Sequence, residues 1–117
     1  MKVSKIAEIL DATVATGEEF MDLDIHSACA SDMMSDVLAY YKDQGALLTG
    51  LVNPQVVRTA EMVDIRCLIL VRGKQPDEAL IRLAADRGIA ILLTDKSMYI
   101  ACGLLYDNGL TEVGRSG

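Results

Sequence analysis

The chain has 117 residues, near the commonest size for one domain, so we expect a single hydrophobic core. Hydrophobic residues make up 51% of the sequence, more than so small a core should hold, and a dimer interface could take up the surplus. The net charge of −6 disfavours binding to nucleic acid, and an aromatic content of 4% supplies few surfaces on which bases or sugars could stack.

The first 24 residues predict a short helix, an edge strand and an acidic loop. Ile6, Ile9 and Leu10 have the spacing of one buried helical stripe, which ends near Leu10. Residues 12–16 are typical of a short edge strand, and residues 17–24 form a loop with several carboxylates. These carboxylates lack the regular spacing and the central glycine of a calcium loop, so we interpret the loop as solvated.

From residue 25 onward the sequence repeats the order strand, polar turn, helix four times. The predicted strands are residues 25–30, 46–49, 66–71 and 89–93, and a helix follows each of them. This alternation predicts a mostly parallel sheet, and the continuous apolar runs of the later strands are typical of strands covered on both faces. We therefore predict an α/β fold, a three-layer sandwich with a mostly parallel central sheet flanked by helices. Residues 1–106 would form the domain and residues 107–117 a flexible tail.

The turns that follow the four strands are the candidate ligand site. In a parallel sheet these turns gather at one edge, where the amides of helix N-termini can receive an anion. The candidate ligand-binding residues are Ser31, Asp32, Thr49, Gly50, Asn53, Arg72, Gly73, Lys74, Thr94, Asp95, Lys96 and Ser97. We expect no resident cofactor, and the ligand that these turns would accept is an adenine nucleotide or another phosphate-bearing molecule.

The same turn residues have a purely structural interpretation. Asp32, Asn53, Asp77, and either Asp95 or Ser97, are ordinary helix N-caps, and the glycines are ordinary turn residues. The turns contain neither a Walker lysine loop nor a Gly-x-Gly-x-x-Gly pattern, so any phosphate would be held loosely.

We predict no catalytic residue and no metal site. His26 is the only histidine, it should face away from Ile25 in the strand pattern, and no nucleophile partner for it is evident. Cys29, Cys67 and Cys102 lie in apolar segments without a Cys-x-x-Cys pair, so we predict three buried, reduced thiols rather than a disulfide or a zinc site.

The sequence also lacks the signals of membrane insertion and secretion. Its longest apolar runs, residues 67–71 and 89–93, are about one strand long, whereas a membrane helix needs roughly 20 residues. Glu8 and Asp11 interrupt the segment that would have to be the apolar region of a signal peptide. We expect a cytoplasmic protein that does not associate with membranes.

The order of residues resembles the DRTGG domain, a family related to the N-terminal domain of HPr kinase/phosphorylase. The resemblance is carried by residues 3–10, 30–38, 68–78 and 88–94, together with Ser97 before the last helix. Where the family pattern has Gly-Asp-Arg after the second strand of the repeat, this chain has Gly50, Leu51, Val52 and Asn53. Where the pattern has Thr-Gly-Gly after the third strand, this chain has Val71, Arg72 and Gly73. The resemblance implies an HPr kinase N-terminal-domain-like fold and a non-catalytic, often dimerising regulatory domain, in a family found beside the catalytic or CBS domains of some nucleotide-responsive enzymes.

We therefore predict a non-catalytic, stand-alone regulatory or adaptor domain that acts through protein–protein contacts, as a homodimer and with a further protein partner. An alternative is a sensor that binds an adenine nucleotide or another phosphorylated metabolite at the strand-end turns. A third hypothesis is an enzyme whose site is completed across a dimer, with Ser31, Asp32 or His26 contributing.

Overall fold

The computed structural model of the chain describes residues 1–41 and 45–113. The strands, in chain order, are β1 (Thr13–Thr16), β2 (Ala28–Ala30), β3 (Ala46–Thr49), β4 (Cys67–Leu70) and β5 (Ala90–Leu93). The helices are α1 (Val3–Leu10), α2 (Met34–Tyr40), α3 (Pro54–Met62), α4 (Glu78–Asp86) and α5 (Met98–Asp107), and a single 3₁₀ turn, Glu18–Phe20, lies in the acidic loop. None of these helices has the length and apolar character needed to cross a membrane.

The strands form one sheet in the order β1-β5-β4-β3-β2. β2 to β5 are parallel, and β1 pairs antiparallel with β5 at one edge of the sheet. The central strands are apolar at nearly every position because both of their faces are covered, and Leu47, Leu68 and Ile91 stand side by side in register. The predictions of a mostly parallel sheet and of an edge strand near residue 14 are confirmed.

The helices cover both faces of the sheet and complete three layers. Each parallel strand is added beside the one before it, so right-handed crossovers place α2, α3 and α4 on the same face. There Leu68 and Leu70 pack against Val57 of α3 and Leu80 of α4. α1 and α5 pack on the opposite face, and the predicted three-layer α/β sandwich is confirmed.

β2 is shorter than the predicted strand of residues 25–30, since it begins only at Ala28. The preceding residues pair with the N-terminus instead. The amide of Ile25 donates to the carbonyl oxygen of Met1, and Lys2 forms an isolated antiparallel bridge with Asp24. Residues 24 and 25 thus pair with the N-terminus and are not part of β2.

The predicted tail begins at the last residue of α5, Asp107. Leu110 is buried in the core beside α1 and α5, and the amide of Ala28 in β2 donates to the carbonyl oxygen of Glu112 at 3.0 Å. Residues 114–117 of the predicted tail lie outside the described residues.

Candidate functional site

Asp32 joins the turns after β2 and β3. One oxygen of its carboxylate accepts hydrogen bonds from the Gly50 amide at 2.7 Å and from the Thr49 hydroxyl at 2.9 Å. The interpretation of Asp32 as an ordinary helix cap is wrong, because α2 begins after Met33 and has no side-chain cap. Ser31 lies beside this turn, where its hydroxyl oxygen accepts a hydrogen bond from the Met33 amide.

Arg72 approaches the same turn from the end of β4. A Cβ atom built on Gly50 would lie only 2.7 Å from a guanidinium nitrogen of Arg72 and 3.6 Å from the Asp32 carboxylate. A side chain at position 50 would displace the guanidinium, which lies at the far end of the flexible Arg72 side chain. Glycine there lets an acidic and a basic group lie on either side of the β3 turn.

The surroundings of Asp32 favour its ionised form. The hydrogen bond from the Gly50 amide is the largest influence that lowers the pKa of this carboxyl below its ordinary value of 3.8. The Thr49 hydroxyl and the positive charges of Arg72 and Lys74 act in the same direction, while desolvation partly opposes them. The hydrogen-bond donors at this edge of the sheet thus already bind an anion, and that anion is the chain's own Asp32 carboxylate.

The turns after β4 and β5 are hydrogen-bonded to each other. The Arg72 amide donates to the Lys96 carbonyl at 2.8 Å, and the Gly73 amide donates to the Thr94 carbonyl at 3.0 Å. The Thr94 hydroxyl donates to the carbonyl of Leu10 at the end of α1. A depression of about 210 Å³ lies beside these bonds, and Gly73, Thr94 and Asp95 line it.

The remaining predicted site residues serve helix capping. The Asn53 side chain accepts from the Gln55 amide, and the Ser97 hydroxyl accepts from the Ile100 amide. Asp77 caps α4 in the same way, so the capping interpretation is confirmed for these three residues. The predicted set therefore divides into the group around Gly50, the group at Thr94 and the caps.

Cys29 and Cys102 line the same groove at the β2 edge, whereas His26 and Cys67 do not line it. His26 is exposed while Ile25 is buried, as the strand pattern predicts. Cys67 is fully buried, but Cys29 and Cys102 are only half-buried, so the prediction of three buried thiols is wrong for these two. Burial raises the pKa of Cys29 and of Cys67 to about 12, which keeps both thiols protonated. Within residues 1–41 and 45–113 no group of histidine, cysteine and acidic side chains is arranged to hold a metal ion.

A surface that the sequence did not locate runs from the outer face of α5 to the β2 edge of the sheet. Three adjoining depressions run along it, and consecutive ones share lining residues. Tyr99, Ile100 and Tyr106 line the first, Tyr106 and Val113 line the second, and Val113 and Tyr40 line the third. These five side chains are five of the seven large hydrophobic side chains exposed in the described part of the chain, and we call them the apolar strip.

A sequence signal for part of this strip does exist. The inward positions predicted for α5 include Ala101 and Leu105, which are buried, yet Tyr99, Ile100 and Tyr106 between them are also apolar. A helix that is apolar on all sides must either be fully buried or have a partner on its outer face.

The positions where the family pattern is broken also have a physical account. Leu51 and Val52, which replace the charged pair, are half-buried and pack against the core under α2 to α4. An acidic and a basic side chain nevertheless flank Gly50, supplied by Asp32 and Arg72. Arg72 stands where the pattern has glycine, and its backbone has the left-handed φ of 59° that glycine adopts most readily.

Comparison with known proteins finds a matching family and similar solved structures. The family model of the DRTGG domain matches residues 5–105. One of these structures comprises the CBS and DRTGG domains of the regulatory region of Clostridium perfringens pyrophosphatase, complexed with its activator, diadenosine tetraphosphate. Its sequence is 16% identical to that of this chain, and the two structures superpose with a TM-score of 0.75. The match covers 97% of this chain but only 47% of the solved chain. No curated protein matches. Because the family model matches nearly the whole described domain, the chain belongs to the DRTGG domain family.

Proposed function

We propose that this chain is a non-catalytic regulatory domain that acts through protein–protein contacts and does so as a homodimer. The observation that carries the proposal is the apolar strip at the β2 edge. Membership of the DRTGG family supports a regulatory role, since the similar solved domain comes from the regulatory region of an enzyme. Monomeric domains rarely leave so much connected apolar surface in water.

The charge of the strip favours a second copy as the occupant. Each copy carries a net charge of −6, so most faces of two copies repel each other. α5 has no charged residue from Met98 through Tyr106, so the charges that line the three depressions are confined to Asp36, Asp107 and Glu112. Gly103 lies between Tyr99 and Tyr106, and a Cβ built on it meets nothing within 4 Å, so a second helix can approach there.

The exposed area of the strip is also suitable for a dimer interface. The five side chains of the strip together expose on the order of 600 Å², taking about 200 Å² for a full tyrosine side chain. A stable dimer buries roughly 800 Å² on each partner, including its polar rim. The strip therefore supplies the apolar centre of an interface of ordinary size.

The proposal is tested by light scattering and sedimentation on the wild-type chain and on Tyr99→Asp. Tyr99 is 86% exposed in the first turn of α5, where aspartate suits the helix dipole, so this variant should fold and be monomeric. Met62→Asp is the matched control, because Met62 is 73% exposed but lies at the end of α3, outside the strip. It should remain dimeric. A wild-type chain that is monomeric up to roughly 1 mM would overturn the homodimer, since even an affinity of about 4 kcal/mol would be detected there.

A second candidate function is a sensor of adenine nucleotides or other phosphorylated metabolites at the strand-end turns. The arrangement of the Gly50 amide, the Thr49 hydroxyl, Arg72 and Lys74 around the Asp32 carboxylate favours it, because these groups would also suit a phosphate oxygen. The activator bound to the similar regulatory region makes diadenosine tetraphosphate the first compound to try.

Thermal melting with a panel of nucleotides and phosphorylated metabolites tests the sensor. We expect a saturable rise in melting temperature that Arg72→Ala abolishes and that Asp32→Ala enlarges, because removing the internal carboxylate frees the donors of the turn. Absence of any shift for both the wild type and Asp32→Ala would contradict this candidate.

A further inference from the structure

The segment of residues 110–113 lies where a sixth strand would add to the sheet. β2 is an edge strand, and an uncovered edge strand can pair with another chain. The carbonyl oxygen of Glu112 already accepts a hydrogen bond from the Ala28 amide. The segment thus covers the edge that would otherwise invite irregular strand addition.

The segment is held in place by one buried anchor. Leu110 is 6% exposed and packs into the core beside Leu105 of α5, directly after the helix ends. Val113, three residues later, is 59% exposed. The chain therefore fixes one end of the segment in the core and presents the other end at the surface.

Val113 connects the two halves of the apolar strip. It lines the groove of about 350 Å³ that also contains Tyr106, and it lines the neighbouring depression that contains Tyr40. Cys29 and Ala30 also line both depressions, but Val113 is the large exposed side chain that the two share, and without it the tyrosine of α2 and the apolar face of α5 would form two smaller patches. Each patch alone would be too small for a stable interface.

We propose that the segment 110–113 is part of the dimer interface, with Val113 contacting the second copy and Leu110 acting as a positioning residue that seats the segment on β2. This inference rests on the proposed homodimer. It assigns to the end of the domain a role in self-association, in addition to its cover of the strand edge.

Two variants of the full chain test this role. Val113→Asp places a charge at the centre of the strip, and we expect at least a tenfold rise in the dimer dissociation constant with an unchanged melting temperature of the monomer. Leu110→Ser removes the anchor at a residue that is only 6% exposed where it lines the groove, and we expect a similar rise. Met62→Asp again serves as the control for an added charge.

Hydrogen exchange separates a released segment from a general loss of folding. In Leu110→Ser the Ala28 amide should exchange quickly, because its partner Glu112 has moved away, while amides of β4 remain protected. Loss of protection throughout the sheet would mean that Leu110→Ser unfolds. The dissociation constant of Val113→Asp then decides whether the segment is part of the interface.

The outcomes distinguish this inference from the proposed function. If Tyr99→Asp separates the dimer but Val113→Asp leaves the dissociation constant unchanged, the segment is not part of the interface and the homodimer stands. If the wild-type chain is monomeric, both proposals fail together.

Discussion

Single residues at the carboxyl edge of the sheet show how a carboxylate can occupy a turn that resembles an anion site. Asp32 follows β2 in the position of a common helix cap, yet its oxygen bonds to Gly50 and Thr49, which lie at the end of another strand. Arg72 reaches the same turn from a third strand. The sequence identified these residues as a group, but it did not predict that Asp32 would itself be the anion.

The left-handed backbone of Arg72 leads to a prediction about stability. A residue with a side chain is disfavoured at a φ of 59° by roughly 1 kcal/mol relative to glycine. Arg72→Ala loses the guanidinium and keeps the strain, whereas Arg72→Gly loses both. Urea unfolding should therefore find Arg72→Gly more stable than Arg72→Ala by about 1 kcal/mol. Equal stabilities would contradict a strained backbone at this position.

Asp32 should make stability depend on pH in the acid range. Its pKa is lower in the folded chain than the ordinary value of 3.8, so the folded state binds fewer protons than the unfolded state. The stabilising contribution is present above that ordinary value and is lost as the pH falls through the lower, folded-state pKa. Unfolding measured from about pH 6 to about pH 2 should show the advantage of the wild type over Asp32→Asn disappearing in this window. Asp86→Asn, at an exposed position at the end of α4, is the control for the loss of one carboxylate from the chain.

At the scale of the elements, hydrophobic periodicity predicted most strands and helices correctly. Residues 46–49 form a strand as predicted, and α3 begins at Pro54 as predicted. The prediction was wrong at the start of β2, because residues 24 and 25 pair with the N-terminus, which no local pattern reveals. Element boundaries depend on such pairings between segments that are distant in sequence.

Substitution by alanine should change the stability of the fold in opposite directions at Gly45 and at Gly103. A Cβ on Gly45, just before β3, would collide with the hydroxyl of Tyr41 and lie 2.6 Å from the carbonyl oxygen of Ser27. We expect Gly45→Ala to destabilise the fold by about 2 kcal/mol or more, since a packed core resists added volume. A Cβ on Gly103, which lies in α5, would meet nothing within 4 Å. We therefore expect Gly103→Ala to leave the stability of the fold unchanged or to raise it by up to about 1 kcal/mol.

Both alanine variants are best measured by chemical unfolding in the monomeric Tyr99→Asp background, where self-association does not contribute. Equal effects at the two positions would contradict the close packing of Gly45 against Tyr41 and Ser27.

At the scale of the whole molecule, an apolar interface between two acidic chains should tighten as salt is added. Two copies with a net charge of −6 repel each other, and salt screens this repulsion, with a Debye length of about 10 Å at 0.1 M. We expect the dimer dissociation constant to fall several-fold between about 20 mM and about 500 mM sodium chloride, measured by sedimentation. Weaker association in high salt would instead indicate an interface held by paired charges, and it would contradict the role of the apolar strip.

The order of strands within the sheet, β1-β5-β4-β3-β2, does not follow from the sequence. The succession of strands and helices along the chain, the three layers and the edge that carries the turns do follow from it. They depend on local periodicity and on the right-handedness of parallel crossovers, which hold for any chain of this pattern. The partners of Asp32, the meeting of Arg72 with Gly50, and the joining of Tyr40, Tyr106 and Val113 into one strip do not follow from it. These residues belong to different elements, and only the packing of those elements determines which side chains meet at the surface.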